Sequence, residues 1–372
     1  MDNFHEIYKI SDQVFKFAEI GSKEFKTSKL LSEFLTKSGF KVKKPYLGME
    51  TAFRAEYGSG KPVVGLLCEE DALPNGHSCG HNLIAAWAVG TAVKLKGSKY
   101  PGKIVVLGTP SEEGIGEYAG SKDTMVKRGA FKDIDFVIGM HPDSGWNVGS
   151  QSDADVTFEI SLTGKSSHLE EADKGRNALD AFVAIYTAIR NVTAAFPKYK
   201  HILTGVYLKE GGAASNVIPE RVIFELDLRS TDSKYLNYVV RRMEQLVRSV
   251  SKVYGVKSEI KQTTPTYMEY KNADKIDEIL YKNLLKYGVK AKKLYKACCE
   301  QSGATDEANV SWVVPTGHLD IKIAPVGVPG HSNKFRESAG SKGALKSLKI
   351  AILSTVQSCN DIAANFREMK LK

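Results

Sequence analysis

Short apolar runs of strand length alternate with helical patterns over the first 140 residues, and this alternation restricts the folds that the chain can adopt. Residues 62–67, 103–107 and 135–138 are rich in valine, isoleucine and leucine, as is typical of strands buried on both faces. Residues 83–95 carry the apolar pattern of a helix. Strands that alternate with helices predict a mixed, mainly parallel sheet with helices on both faces.

From about residue 155 the order of the predicted elements changes, which indicates an inserted domain. Its elements are strand 156–162, helix 178–192, strands 203–208 and 222–228, helix 235–253 and strand 258–262. The order β-α-β-β-α-β is that of a small ferredoxin-like α+β sandwich. Beyond it come helix 273–287, a strand-like run at 321–326 and helix 344–364. We therefore predict a catalytic domain in two parts, 1–153 and 265–372, around a second domain at 154–264.

Composition agrees with a globular protein of this size. The chain has 372 residues, of which 42% are hydrophobic and 26% are charged, and this length exceeds what one ordinary core organises. Its net charge of +9 is spread along the chain, and no basic block is interleaved with aromatic residues. These features predict no nucleic-acid partner. The longest apolar runs are too short to cross a bilayer, so no membrane partner is expected.

Cysteine usage and the N-terminal residues both predict a cytoplasmic protein. The five cysteines are irregularly spaced, and an odd number in a chain this long does not indicate a disulfide framework. The first ten residues lack the basic and then apolar pattern of a secretory signal.

Candidate metal ligands follow the first predicted strand. Cys79 and His81 flank Gly80, and residues two apart converge from a turn more readily than from a helix. Asn82 is a plausible N-cap for the next helix, and a helix N-terminus lowers the pKa of a thiol, which favours the metal-binding thiolate. Taken alone, the pair is equally compatible with a buried cysteine beside a loop histidine.

Candidate residues at three further sites follow later strands. Glu112 and Glu113 come after the second strand, and adjacent carboxylates repel each other unless a cation or proton lies between them. One can bind a metal while the other acts as a general base, although a solvated acidic loop has the same sequence pattern. His141 ends the third strand, and His331 follows the run at 321–326. Because sites form at the carboxyl ends of such strands, we expect these side chains to converge.

The stretch 70–82, EDALPNGHSCGHN, resembles the signature of the aminoacylase and carboxypeptidase family of dinuclear metallohydrolases. Its auxin-conjugate and aminobenzoyl-glutamate hydrolase branch is the most similar. The resemblance continues in order at 110–114 (PSEEG), 139–141 (GMH), 164–168 (GKSSH), 211–219 (GGAASNVIP), 302–311 (SGATDEANVS) and 329–331 (PGH). These motifs span most of the chain. They depart from the family pattern at Ser166 and Ser167, which replace a double glycine, and at Asn82, which replaces an aspartate of many relatives.

The resemblance implies a role for each matching residue. Two divalent ions, zinc or manganese or else cobalt or nickel, would be bound by Cys79, His81, Glu113, His141 and His331. Glu112 would be the general base, Asp71 would orient a ligand, His168 would stabilise the oxyanion, and Asn216 and Arg229 would contact the substrate near its carboxylate. His318 also lies in a predicted loop and is the alternative to His331 as the last ligand. We prefer His331 because glycine and small residues surround it, and we expect His318 to shape the substrate pocket. His77 is expected to be structural.

The implied protein is a zinc-exopeptidase-like enzyme that forms a homodimer through its inserted lid domain. It would hydrolyse the amide bond of N-acyl amino acids or aminobenzoyl-glutamate-like substrates with a free carboxylate. A dipeptidase or carboxypeptidase is the alternative within enzymes. A non-catalytic ligand-binding relative would not need the Glu112–Glu113 pair. A thiol-redox protein using Cys298 and Cys299 is disfavoured, because neighbouring cysteines form strained disulfides.

Overall fold

The computed structural model describes residues 4–294 and 303–371, and these divide into two compact units. Unit 1 contains residues 4–151, 270–294 and 306–371, and unit 2 contains residues 152–269 and 303–305. Cys298 and Cys299, on which the thiol-redox alternative depends, lie outside the described residues.

Unit 1 is built on an eight-stranded mixed sheet. Strands are numbered along the whole chain. Those of this sheet are β1 (Lys41–Lys43), β2 (Phe53–Tyr57), β3 (Val63–Glu69), β4 (Lys103–Thr109), β5 (Phe136–Asp143), β6 (Trp146–Val148), β11 (Ala291–Lys293) and β12 (Thr316–Lys322). Their order in the sheet is β1-β2-β4-β3-β5-β12-β6-β11. The four central strands β4, β3, β5 and β12 run parallel to one another, which confirms the predicted parallel centre.

Helices cover both faces of this sheet. They are α1 (Phe4–Phe17), α2 (Phe25–Lys37), α3 (His81–Gly97), α4 (Ser121–Lys127), α7 (Asp274–Leu285), α8 (Glu307–Ser311), α9 (Asn333–Ala339) and α10 (Lys342–Met369). Val64 and Leu66 of β3 pack in one apolar core with α1, α3 and α10, whereas Val63 and Leu67 pack in another. Because successive strand side chains point to opposite faces, burial of both sets explains why β3 is apolar throughout. None of the helices within the described ranges is long and apolar enough to cross a membrane.

Unit 2 has the predicted β-α-β-β-α-β order. Its elements are β7 (Ala154–Thr163), α5 (Ala178–Ala195), β8 (Leu203–Glu210), β9 (Arg221–Ser230), α6 (Ser233–Val253) and β10 (Lys257–Gln262). They form an antiparallel sheet in the order β10-β7-β9-β8. Alternating residues of β9 are buried and pack with α5 and α6 in a core that belongs to this unit alone.

Three local predictions were wrong. The strand predicted at 321–326 is β12, which ends at Lys322, because Pro325 cannot donate to a sheet and Gly327 has a φ of +88°. His318 therefore lies within a strand and not in a loop. Asn82 is not the N-cap of α3, since the helix begins at His81 after Gly80, whose φ of +86° is left-handed.

Candidate active site

The carboxyl ends of the four parallel strands bring the candidate residues of unit 1 to one edge of the sheet. Strand β3 leads into the loop that carries Cys79, and β4 leads into the turn that carries Glu112 and Glu113. His141 lies near the end of β5, and His331 lies in the loop between β12 and α9. This placement is the reason that residues distant in sequence meet here.

Two groups of potential ligand atoms share the Cys79 thiol. The ligating atoms of Cys79, His81 and His141 lie within 4.8 Å of one another, and so do those of Cys79, Glu113 and His331. Cys79 Sγ is 3.2 Å from His141 Nε2, and Glu113 Oε2 is 3.5 Å from His331 Nε2. The structure thus brings together all five residues predicted to bind metal.

The ring of His141 is oriented by its own strand. Its Nδ1 is 2.8 Å from the carbonyl oxygen of Pro142, and a carbonyl only accepts, so Nδ1 donates this hydrogen bond. This bond turns Nε2 toward Cys79. A histidine that binds a metal through Nε2 requires its proton on Nδ1.

Asp71 fixes two of the candidate ligands at once. Its Oδ1 is 3.0 Å from His81 Nδ1, and its Oδ2 accepts a 3.0 Å hydrogen bond from the backbone N–H of Glu113. Burial opposes the negative charge of Asp71, but His81 outweighs it and holds the pKa of this carboxyl below its ordinary value. The carboxylate therefore holds His81 with Nε2 directed into the cluster.

Three buried polar atoms in the cluster suit a divalent cation. His81 Nε2, Glu113 Oε1 and Glu69 Oε2 are buried and have no hydrogen-bond partner among the described residues. Such atoms are costly to bury unpaired, and nitrogen, oxygen and sulfur donors together are ligands that zinc and manganese accept. The residues present fit a pair of cations.

The thiol of Cys79 does not have the lowered pKa expected from its place before a helix. Burial raises the pKa of Cys79 well above its ordinary value, although His81 acts in the opposite direction. Desolvation disfavours the thiolate by more than the nearby helix N-terminus favours it. A positive charge close to the sulfur, such as that of a bound metal ion, would favour the thiolate.

Glu112 lies beside the two ligand groups that share Cys79, and its carboxylate faces His81. Its Oε2 is 3.9 Å from His81 Nε2, and its side chain is 11% exposed. Burial, together with the negative charge of Glu69, raises the pKa of the Glu112 carboxyl. A carboxyl in this position can exchange a proton with a reacting molecule at the cluster.

Comparison with known proteins shows the family. Residues 156–255 match the model of the peptidase dimerisation domain. The chain is 32% identical to the Xaa-Arg dipeptidase of Mus musculus over 317 residues, which are 81% of this chain and 72% of that protein. It is 27% identical to a p-aminobenzoyl-glutamate hydrolase polypeptide of Escherichia coli, over 65% of this chain and 54% of that protein. A dinuclear metal-binding peptidase of the M20 family from Bacillus subtilis has the same fold, with a TM-score of 0.70 and 16% sequence identity. The match covers 97% of this chain and 98% of that chain.

The chain belongs to the M20 peptidase family. The resemblance found in its motifs is therefore confirmed, and so is the predicted class of activity. It is a metal-dependent hydrolase of amide bonds.

A buried ion cluster behind the M20 site had no signal in the sequence. The Lys122 side chain is fully buried, and its Nζ is bonded to Glu69 Oε1 at 2.9 Å and to Asp306 Oδ1. Burial opposes the charge of Lys122, but Asp306, Glu69 and Glu112 outweigh it and hold its pKa well above the ordinary value. Lys122 resembles any other of the 52 basic residues until its partners are known.

His318 lies apart from the two ligand groups. It is buried, its Nδ1 is 2.8 Å from Glu307 Oε1, and its Nε2 is 3.2 Å from Asp320 Oδ1. Asp320 pairs with His141 across the neighbouring strands, so this ion cluster is next to the site. Both ring nitrogens of His318 face carboxylates, whereas His331 is the late histidine that lies with the ligands.

His77 is buried away from both groups. Its Nε2 is 3.0 Å from the carbonyl oxygen of Val14, and burial lowers its pKa to about 4. The neutral ring thus connects the loop after β3 to α1.

The structure places His168 and Asn216 together in unit 2. His168 is exposed and pairs with Val217 in an isolated bridge, and the N–H of Leu169 donates to the carbonyl oxygen of Asn216 at 3.0 Å. Both residues lie in loops near Arg221, which is the first residue of β9.

Arg229 lies at the opposite end of β9 from these two residues. It is eight residues after Arg221, or about 27 Å at the rise of ~3.4 Å per residue. Its Nε and Nη2 are 3.2 and 3.0 Å from the two carboxylate oxygens of Asp227, and Nη2 is 3.5 Å from Asp155. One copy of unit 2 therefore does not bring Arg229 to Asn216.

Proposed function

We propose that this M20 protein hydrolyses the amide bond of N-acyl amino acids or of aminobenzoyl-glutamate-like substrates, next to a free carboxylate. Two divalent cations, zinc or manganese or else cobalt or nickel, would be bound by Cys79, His81, Glu113, His141 and His331. The observation that carries the proposal is the sharing of the Cys79 thiol by two groups of ligand atoms, each within 4.8 Å. The similarity to the p-aminobenzoyl-glutamate hydrolase of Escherichia coli supports the substrate class.

Glu112 is the proton carrier in this mechanism. When bound, the cations would lower the pKa of a water molecule from about 16 toward about 7 and would polarise the substrate carbonyl. Glu112 takes the proton of the attacking water and passes it to the leaving nitrogen. Asp71 holds His81 and the Glu113 backbone in place during both steps. The raised pKa of Glu112 suits a group that must both accept and release a proton.

Residues of unit 2 complete the proposed chemistry. His168 donates a hydrogen bond to the developing oxyanion, an interaction whose loss costs about 3–4 kcal/mol in related chemistry. Asn216 and Arg229 contact the substrate near its carboxylate. Because Arg229 and the His168–Asn216 pair lie at opposite ends of β9, they meet different groups of the substrate or belong to different copies of the chain. A substrate carboxylate would share the Arg229 guanidinium with Asp227.

A dipeptidase is the second candidate, and the similarity to the Xaa-Arg dipeptidase of Mus musculus favours it. The two candidates differ in the acyl group and the leaving residue, and not in the metal chemistry. We also propose that the protein is cytoplasmic, since its five irregularly spaced cysteines do not indicate a disulfide framework.

Release of free amine from a substrate panel tests this proposal. The metal-stripped protein is loaded with Zn²⁺, Mn²⁺, Co²⁺ or Ni²⁺ and given N-acyl amino acids, aminobenzoyl-glutamate and Xaa-Arg dipeptides. We expect hydrolysis that requires a cation, saturates at two cations per chain and fails on amides that lack a carboxylate. Preference for the dipeptides would establish the second candidate. Absence of bound cations at any concentration would contradict both candidates.

We further propose that the protein is a homodimer through unit 2. Strand β8 is an edge of the antiparallel sheet within the described residues, and it exposes 63% of Tyr207. On α5, Val183 and Tyr186 are 54% and 44% exposed. An edge strand beside an exposed apolar helix face suits pairing with a second copy, and the match to the peptidase dimerisation domain supports that partner.

Lysine substitutions on α5 test the dimer. We expect the wild-type protein to sediment with twice its chain mass of 40.8 kDa. The double variant Val183→Lys, Tyr186→Lys is expected to sediment as a monomer, because two buried ammonium groups would face their copies across the interface. Tyr238→Lys on α6, where the native side chain is 43% exposed, is the matched control. A variant that remains dimeric would exclude this surface.

A further inference from the structure

A buried carboxylate from the N-terminal part of the chain lies behind the turn that carries Glu112 and Glu113. Glu24, just before α2, is fully buried. Its Oε1 accepts hydrogen bonds from the N–H of Ser22 at 3.0 Å and from the N–H of Ser111 at 2.9 Å. The second bond joins residues 87 positions apart, so Glu24 anchors a distant turn and does not cap its own helix.

The same segment packs closely along the whole turn. Ser22 Oγ lies 2.9 Å from Ser111 Oγ and accepts a 2.8 Å hydrogen bond from the N–H of Tyr118. A side chain at Gly21 would collide with the carbonyl oxygen of Ile115. Residues 21–24 therefore hold the turn at its start and at its end.

The turn needs such support because its backbone is strained. Ser111 has a φ of +58°, a region that residues other than glycine rarely occupy and that persists where the surroundings enforce it. On the other side of the turn, Asp71 accepts from the N–H of Glu113. Glu24 and Asp71 thus hold the N–H groups on either side of Glu112.

We propose that Glu24 is a positioning residue for hydrolysis, which fixes the Glu112–Glu113 turn through the Ser111 N–H. This inference rests on the function proposed above for those two glutamates. A general base and a metal ligand work only within a narrow range of positions. The anchor therefore sets where both carboxylates lie relative to the Cys79 cluster.

The anchor acts as a hydrogen-bond acceptor through Oε1. Burial, together with the negative charge of Asp71, raises the pKa of Glu24 to about 7. Glutamine has the same shape and carries an amide oxygen that can accept both bonds. The geometry thus distinguishes an isosteric replacement from a truncation.

Three variants test the proposal in the full chain loaded with metal. Glu24→Ala removes the anchor and Glu24→Gln keeps the acceptor. Glu19→Ala is the matched control, because Glu19 belongs to the same segment and accepts from the N–H groups of Lys26 and Thr27 in α2. The measurements are kcat and KM on the best panel substrate, cation affinity, and amide hydrogen exchange of residues 109–118.

We expect Glu24→Ala to lower kcat by about 10- to 100-fold with little change in KM, since misplacement by about 1 Å has such an effect. Cation affinity should fall, and exchange at 109–118 should accelerate. Glu24→Gln should stay within about 3-fold of wild type by all measures. Glu19→Ala should lower only the unfolding temperature, because it removes a helix cap.

Other results would overturn the proposal. If Glu24→Gln lowered kcat and cation affinity as much as Glu24→Ala, the charge of Glu24 would matter and not its anchoring of the turn. If Glu19→Ala lowered them as much, the effect would come from a general loss of packing in the N-terminal segment. Unchanged kcat and affinity in Glu24→Ala would exclude a positioning role. If that variant does not fold, Glu24→Asp replaces it, because the shorter side chain withdraws the acceptor from the Ser111 N–H, and unchanged exchange and kcat there would also exclude the role. If wild type hydrolyses no panel substrate, the proposed function fails, and cation affinity together with exchange decides the role of Glu24.

Discussion

Glu112→Gln is expected to lower kcat by about 10²- to 10⁴-fold, the contribution of a general acid–base. Glutamine keeps the size and the oxygen of the side chain but cannot take a proton from water. Glu112 lies outside the two groups that share Cys79, although it forms a third group with Glu69 and His81. Because we assign it to proton transfer, the variant should retain the wild-type number of bound cations. Steady-state hydrolysis of the best panel substrate and metal analysis of the purified protein measure the two quantities.

The control for this prediction is Glu117→Gln. Glu117 lies in the same loop but is exposed, and its replacement should leave kcat within about 2-fold of wild type, as surface changes generally do. A Glu112→Gln variant that keeps full activity would assign the proton transfer to another group. A variant that loses its cations would show that Glu112 is itself a ligand, for which its 3.9 Å distance from His81 Nε2 leaves room.

Cys79→Ala is expected to abolish tight binding of both cations and to lower activity by at least about 10³-fold, because metal activation of water is then lost. The reason is that Cys79 belongs to both groups that hold the predicted ligands, whereas the third group, Glu69, His81 and Glu112, does not include it. Removal of any histidine ligand should instead weaken one ion more than the other. Metal analysis after dialysis, with titration of each ion back into the protein, gives the stoichiometry.

Cys68→Ala is the matched control for the loss of a buried thiol. Cys68 is fully buried on β3, where its sulfur lies 3.8 Å from the carbonyl oxygen of Ala85 and outside the ligand groups. We expect it to bind two cations and to lose only stability, about 1 kcal/mol for the removed sulfur. If Cys79→Ala still bound two cations tightly, the shared-thiol arrangement would be wrong.

The fold could be predicted from the sequence because buried strands and helices show characteristic patterns of apolar residues along the chain. The continuous apolar run at 62–67 becomes β3, both of whose faces pack in cores, and alternating residues of β9 are buried on one face. The prediction of a strand at 321–326 was wrong, because this apolar run has the composition of a strand but contains Pro325 and is followed by Gly327. It therefore cannot continue a hydrogen-bonded ladder.

The order of residues along the chain also determined which side chains are available for chemistry. Cys79, His81, Glu113 and His141 stand at the ends of predicted strands, and parallel strands place their carboxyl ends at one edge. The sequence alone could therefore predict that these side chains meet. It favoured His331 over His318 only through the glycine and small residues around His331, whereas the structure separates the two because Glu307 and Asp320 enclose His318.

Only the tertiary structure decided the roles of charges that are buried by distant partners. Lys122 is bound by Glu69 and Asp306, and Glu24 reaches Ser111 across 87 positions. Neither contact leaves a periodic pattern, because a single side chain can be enclosed by any residues that the fold brings near it. Short-range periodicity thus determined the elements and the site's location, whereas long-range packing determined which carboxylates orient the ligands and hold the turn.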